Sequence, residues 1–295
     1  MEWKETLNHY VETINSVLEG YIEIDEKPNA RVLESMHYSL FAGGKRLRPV
    51  MTLAVCDLLG RPAKLALPYA CALEMIHTYS LIHDDLPAMD DDDTRRGKPT
   101  NHKVYGEGIA ILAGDGLLNR AFEAMIEHAL TLDEPIHGLK AMQTIADAAG
   151  VNGMIGGQTA DLLNEGKEID EQMLAYIHRH KTGALITASV KAGAYMAGVD
   201  EEEATRWEKI GHALGMAFQI QDDLLDIEGD AAEMGKPVGS DERNEKATYP
   251  ALYGIEKSRE KIEALTKEVL ETLEPYGEKA DFLRSLTEAL VNRRS

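Results

Sequence analysis

The residues best equipped for chemistry lie between His77 and Thr100, in H-T-Y-S-L-I-H-D-D-L-P-A-M-D-D-D-D-T-R-R-G-K-P-T. Six of the ten positions from 84 to 93 are aspartate (84, 85, 90, 91, 92 and 93). Carboxylates at that density repel one another unless a cation relieves them. Ligation by carboxylates alone suits a hard ion such as Mg²⁺, which takes one or two side chains, keeps several waters and completes its shell with substrate phosphate oxygens. Arg95, Arg96 and Lys98 follow at once, where such phosphates would need further countercharge. The plain alternative is a solvated acidic loop, as charge runs usually are. Against it, Leu67, Cys71, Met75, Tyr79 and Ile82 form an apolar helical stripe leading into Asp84 and Asp85, and Pro87 should end or kink that helix. Acids are then left at a helix C-terminus, where the dipole disfavours them.

A second acidic group lies in G-H-A-L-G-M-A-F-Q-I-Q-D-D-L-L-D-I-E-G-D. Gly211, Gly215, Gln219, Asp222 or Asp223, and Asp226 recur about once per turn, and Asp222 and Asp226, four apart, can share a metal. Basic residues cluster separately in F-A-G-G-K-R-L-R-P-V, where Lys45, Arg46 and Arg48 follow a Gly pair that lets backbone approach a ligand. With Pro49 in the first turn of the next helix, this reads as a second phosphate site at a helix N-terminus.

The elements that must position these groups are helices. Apolar residues at helical spacing predict helices over 1–20, 29–42, 50–59, 64–86, 107–130, 138–149, 254–273 and 279–292. Asp115 in the fifth of these reads as a cap or packing partner. Residues 151–165 place Gly153, Gly157 and Asp161 on one helical face, either a cavity wall or a close helix contact, with Gln158 weakly implicated. Lys181 and Thr182 open a further apolar helix and could offer a cation and a hydroxyl to a pocket. Residues 235–250, rich in Gly, Pro and charge, read as a flap carrying Lys236 and Lys246. No strand pattern or fixed-period repeat is present, so the fold is expected to be all-α, a single large helical bundle.

Composition narrows the partners. The 295 residues carry 31 Lys+Arg against 51 Asp+Glu, a net charge of −20, which argues against nucleic acid and anionic membrane surfaces. Cys56 and Cys71 sit in apolar helical stretches, as expected of thiols in a reducing compartment. The opening M-E-W-K-E-T-L is unlike a secretion signal, and no apolar run is long enough to span a bilayer. A soluble cytoplasmic protein is the expectation.

Taken together, G-G-K-R-L-R-P, the His77–Thr100 segment, G-G-Q, H-K-T-G-A-L, F-Q-I-Q-D-D-L-L-D and G-K-P-x-G-x-D resemble the trans-isoprenyl diphosphate synthases, most closely the bacterial farnesyl diphosphate synthases. The resemblance covers nearly the whole chain and implies one polyprenyl synthase domain over 1–295, with the helices surrounding a central substrate cavity. It implies that Asp84 and Asp90, with Asp222 and Asp226, hold several Mg²⁺ ions around an allylic diphosphate, with Asp85 and Asp223 as supporting partners. Lys45, Arg48, His77 and Arg96 match the isopentenyl diphosphate site, Arg95, Lys181 and Lys236 the allylic diphosphate contacts, and Thr182 and Gln219 the groups facing the carbocation. A homodimer is expected on the same ground.

The first motif departs from the shortest family pattern in having four residues between Asp85 and Asp90. Six residues are about 600° of helix, so Asp84 and Asp90 cannot face one metal unless the backbone breaks near Pro87. The ending N-R-R-S matches the basic tails of relatives only loosely, so Arg293 and Arg294 are left out of the site.

The reaction implied is ionisation of dimethylallyl or geranyl diphosphate, attack by the double bond of isopentenyl diphosphate, and loss of a proton. Tyr79 lies about 7.5 Å below Asp84 along the helix; with Ser80 it resembles the pocket floor of farnesyl synthases, which implies a C15 product. Helical geometry turns Tyr79 away from Asp84, so a core role stays open for it. Geranyl or geranylgeranyl diphosphate synthesis is the alternative. A class I terpene cyclase would lack the second phosphate site, a non-catalytic synthase subunit would lose one acidic motif, and a metal-buffering protein would not need the paired basic clusters.

Overall fold

The computed structural model describes residues 2–228 and 247–293. Lys236, Lys246, Arg294 and most of the expected flap lie outside that range. The helices in order are α1 (Glu2–Tyr21), α2 (Ala30–Leu40), α3 (Leu47–Leu58), α4 (Leu67–Asp84), α5 (Asn101–Tyr105), α6 (Glu107–Ala129), α7 (Pro135–Ala149), α8 (Met154–Asn164) and α9 (Glu171–Ile177). They continue as α10 (Ala184–Met196), α11 (Glu201–Glu228), α12 (Tyr249–Tyr253), α13 (Ile255–Leu273) and α14 (Asp281–Val291).

Local chemistry sets several of these boundaries. Pro68, Pro135 and Pro250 stand in first turns, where a missing N–H is harmless. Asp170 caps α9 by accepting from the Met173 amide at 2.9 Å, and Asp200 does the same for Glu203 at the start of α11.

Two helices are apolar on nearly every face and form the centre. In α4 the run from Tyr69 to Ile76 is buried, and α10 buries all but one residue from Leu185 to Met196. Helix α4 packs on α3 and α6, and α10 on α3, α7 and α11, so the two are linked through α3. A helix apolar all round is stable only when covered like this. Helix α1 covers one side with Tyr10, Ile14 and Leu18, and truncating Leu18 to alanine costs about 2–5 kcal/mol by the usual core penalty. Cys56 and Cys71 are free and buried.

Three sequence expectations change. Among the described residues a short antiparallel ribbon pairs Thr94–Arg95 with Lys98–Pro99. Its turn, Arg96-Gly97, has positive φ at both residues, the pattern a two-residue hairpin needs and one that short charged segments hide. Asp115 lies in the middle of α6 on its exposed face, so it neither caps nor packs. Arg46 is buried rather than aimed at a ligand: its guanidinium bonds Glu74 at 2.7 Å, Asn15 at 3.0 Å and the Leu40 carbonyl at 2.6 Å. The basic turn therefore contains one structural cation, whose partner lies on α4, 28 positions away.

Candidate active site

Helix α4 ends at Asp84 and the chain then folds back on itself. The Asp90 amide donates to the Asp84 carbonyl at 2.8 Å, and the Asp91 amide to the Leu86 carbonyl at 3.1 Å. The four-residue spacing is thus absorbed in a loop that brings Asp90 beside Asp84, which a continuous helix would not do. Burial, then the charges of Asp90 and Asp85, push the Asp84 carboxyl up to about 6 against the pull of Lys181. Asp85 is buried and accepts from Arg95 at 2.7 Å (Nε) and 2.6 Å (Nη2), which fixes that guanidinium. Asp91, Asp92 and Asp93 are exposed, and Asp93 pairs with Lys103 at 2.6 Å. For these last three the solvated-loop reading is the right one.

The ribbon that follows swings Arg96 over the glycine turn. Its guanidinium donates to the Gly43 carbonyl. A Cβ at Gly44 would sit 2.6 Å from Arg96 Nη1, and Gly43 and Gly44 have φ of 117° and 129°, so both positions call for glycine. Around this turn lies a cavity of about 590 Å³, lined by Lys45, Arg48, His77, Arg96, Phe218 and Asp222, among others. Arg48 Nε is buried there without a hydrogen-bond partner among the described residues, as a group waiting for an anion would be. Burial, and then the charges of Arg48, Arg96, Arg95 and Arg46, hold His77 far below the ordinary imidazole range, so it meets a ligand as a neutral hydrogen-bonding ring.

Helix α11 brings one member of the second acidic group, Asp222, to the same cavity. Asp222 lines it, while Asp226, one turn on, and Asp223 are buried. Arg293, left out on sequence grounds, is here as well. Its guanidinium lies 2.5 Å from Asp222 and 3.8 Å from the centre of the Phe218 ring. The loose match of N-R-R-S to basic tails was its one sequence signal; the pairing itself spans 71 positions.

A neighbouring cavity of about 600 Å³ contains Asp84, Lys181 and Thr182, and shares Arg48 and His77 with the first. Much of its lining is apolar, including Leu86, Met154, Ile155 and Leu162, and Tyr79 and Ser80 both line it. The Tyr79 ring meets His83 edge-on at 5.7 Å, and His83 Nε2 is 3.1 Å from the Ile111 carbonyl. The turn away from Asp84 expected of Tyr79 therefore does not remove it from the pocket. Lys181 and Thr182 sit on a π-helical turn, His178–Gly183, between α9 and α10, a widened turn that sequence periodicity does not announce. Lys181 is held by Asp161 at 2.5 Å, and a Cβ at Gly157 would collide with its backbone nitrogen. For the face of Gly153, Gly157 and Asp161 the close-contact reading holds at Gly157; the cavity is lined instead by Gln158, and Asp161 reaches it only through Lys181.

Among the described residues, no three His, Cys, Asp or Glu side chains converge to hold a metal unaided. This fits Mg²⁺, which binds one or two carboxylates and finishes its shell with water and substrate oxygens. The crowding at Asp84 is the observation that calls for a cation. Asp84 lines one cavity with Asp90 folded back beside it, and Asp222 lines the other with Asp226 one turn further along α11; these four are the residues that would supply carboxylate oxygen.

Comparison with known proteins agrees with this arrangement. A model of the family described as polyprenyl synthetase matches residues 29–286. A farnesyl diphosphate synthase of Geobacillus stearothermophilus is 51% identical over 259 residues, covering 88% of this chain and 87% of that protein. A geranylgeranyl diphosphate synthase of Cyanophora paradoxa is 46% identical over 265 residues, covering 90% and 88%. The crystal structure of an FPP/GFPP synthase from Zymomonas mobilis matches with a TM-score of 0.87 at 36% identity, over 98% of this chain and 99% of that one. The all-α architecture is common to both.

Proposed function

Because the chain belongs to the polyprenyl synthetase family, we propose that its two joined cavities carry out one prenyl transfer, from an allylic diphosphate to isopentenyl diphosphate. The observation that carries this reading is the shared wall: Arg48 and His77 border both a largely apolar cavity that holds Asp84, Lys181 and Thr182 and a basic cavity of similar size. A terpene cyclase needs only the first.

The C–O bond of the allylic diphosphate breaks with its electron pair leaving on the diphosphate. The double bond of isopentenyl diphosphate then attacks the allylic carbon, and a proton is lost from the new cation, with the departed diphosphate as the base. Lys181 and Arg95, fixed by Asp161 and Asp85, hold charge where it develops on the leaving group, and Lys236 joins them in this reading. Asp84, Asp90, Asp222 and Asp226 would hold Mg²⁺, which would supply Lewis-acid stabilisation of that diphosphate. Lys45, Arg48, Arg96 and neutral His77 bind the second diphosphate, while Thr182 and Gln219 face the cation.

The apolar end of the first cavity, walled by Tyr79 and Ser80, supports a C15 product, (2E,6E)-farnesyl diphosphate, over geranylgeranyl diphosphate. Exposed apolar side chains on α6 and α8, among them Leu112 at 55% and Leu163 at 62%, support a homodimer. Two buried free thiols favour the cytoplasm. The reading takes residues 1–295 as one catalytic domain.

The test is incubation with labelled isopentenyl diphosphate, Mg²⁺ and separate C5 and C10 allylic starters. Label is expected in a C15 diphosphate. Label in C20 overturns the chain length alone, and none in any product overturns the reaction.

A further inference from the structure

Asp223 stands beside Asp222 in the sequence but has different work in the structure. It is 2% exposed, and both of its oxygens are engaged. Oδ1 accepts from Gln219 Nε2 at 2.9 Å, and Oδ2 accepts from the Tyr249 backbone amide at 2.8 Å. His178 Nε2 is 3.5 Å from the same Oδ2, and burial holds that imidazole down at about 4, so it is a neutral ring.

From this geometry we infer that Asp223 is a positioning residue: it decides which end of the Gln219 carboxamide faces the reacting carbons. An amide can present either its oxygen or its NH₂, and here the Asp223 side chain accepts at both ends, from the Gln219 NH₂ at Oδ1 and from the Tyr249 N–H at Oδ2. Gln219 must therefore give its nitrogen to Asp223, which turns Oε1 away from it. Gln219 is three residues before Asp222 and four before Asp223, so the side chain lies between the two on α11. Bonded to Asp223 through its nitrogen, it has Oε1, the negative end of its dipole, directed away from that carboxylate. An allylic cation is stabilised by that oxygen and repelled by the NH₂ group. The backbone donor of Tyr249 cannot rotate, so it locks Asp223 in turn and ties the start of α12 to the reaction centre.

This inference rests on the prenyl-transfer reading and on Gln219 facing the cation. Asp223→Asn separates its parts. The one oxygen of the introduced asparagine stays with the fixed Tyr249 amide, its NH₂ turns to Gln219, and Gln219 must flip to accept. The expected result is kcat lower by about 10–100-fold, the scale of losing one preorganised electrostatic group, with KM for both substrates within about twofold. Gln219→Glu in the Asp223→Asn background restores an arrangement in which one glutamate oxygen accepts from the asparagine NH₂ and the other faces the cation, so it should recover part of the lost kcat. Gln219→Ala combined with Asp223→Asn should be no slower than Gln219→Ala alone. In ¹⁵N-glutamine-labelled protein, Asp223→Asn should also shift the Gln219 side-chain amide resonances while the melting temperature holds.

Losses that multiply in the Gln219→Ala/Asp223→Asn pair, no rescue by Gln219→Glu, or unmoved amide resonances overturn the positioning role and leave the prenyl-transfer reading intact. A fully active Gln219→Ala enzyme instead removes Gln219 from the cation, and the inference with it. A wild-type protein that makes no prenyl product overturns the reading underneath both.

Discussion

At the end of α4, Asp84 has no guanidinium or ammonium within ion-pair distance among the described residues, and burial with Asp90 and Asp85 lifts its carboxyl to about 6. On α11, Asp222 carries the Arg293 guanidinium at 2.5 Å, and Phe218 stacks beneath that cation. Asp84 is held without an ion-pair partner among the described residues, Asp222 as one half of a pair. The price of a ready metal site is therefore concentrated at the helix end, where loop and dipole already oppose the acids. The second aspartate of each group does similar work in both: Asp85 fixes Arg95, as Asp223 fixes Gln219.

The largest expected effects treat the two groups alike. Asp84→Ala and Asp222→Ala should each lower kcat by about 10²–10³-fold, measured as Mg²⁺-dependent product formation. A loss at only one of them would mean that a single group holds the metal.

Stability should separate them. Asp84→Asn removes a costly buried charge, so the metal-free protein should melt about 2–4 °C higher at pH 7. Asp222→Asn leaves Arg293 without its partner, so it should melt lower. The sign follows from linkage: Asp84 is raised from 3.8 to about 6 in the folded state, so the native protein binds more protons between those values and loses stability as pH rises through them. The advantage of Asp84→Asn should accordingly vanish below about pH 4 in calorimetry.

Arg293→Gln converts the second group into the type of the first. Substrate-free Mg²⁺ affinity, measured by titration calorimetry, should rise severalfold as Asp222 is released, while KM for isopentenyl diphosphate should rise about tenfold with one cation gone from its cavity. Unchanged values for both would make the pair a surface contact of no consequence. The smallest change in rate, and the clearest in product, is expected from Tyr79→Ala: deeper space beside α4 should shift output from C15 toward C20. Unchanged C15 would leave Tyr79 a core residue.

How much of this was legible in the sequence depended on distance along the chain. Helix α4 and its acids were, because one apolar stripe, Pro87 and the Asp run lie within thirty residues of each other. The return of Asp90 to the Asp84 carbonyl was expected in outline, since helical geometry forbade the alternative. Arg46 and Arg293 were not. Both look like any basic residue until partners on other helices, Glu74 and Asp222, assign one to the interior and the other to the cavity. The π turn under Lys181 and Thr182 was also hidden, because its driving contacts are Gly157 and Asp161 on α8.

The most direct measurement is an anomalous difference map of crystals grown with Mn²⁺ and a non-ionisable allylic thiolodiphosphate. The account predicts metal density in contact with Asp84 and Asp90 on one side of the diphosphate and with Asp222 on the other, with Arg293 moved off Asp222. Metal confined to exposed Asp91–Asp93, or to one acidic group with the Arg293 pair intact, would contradict it.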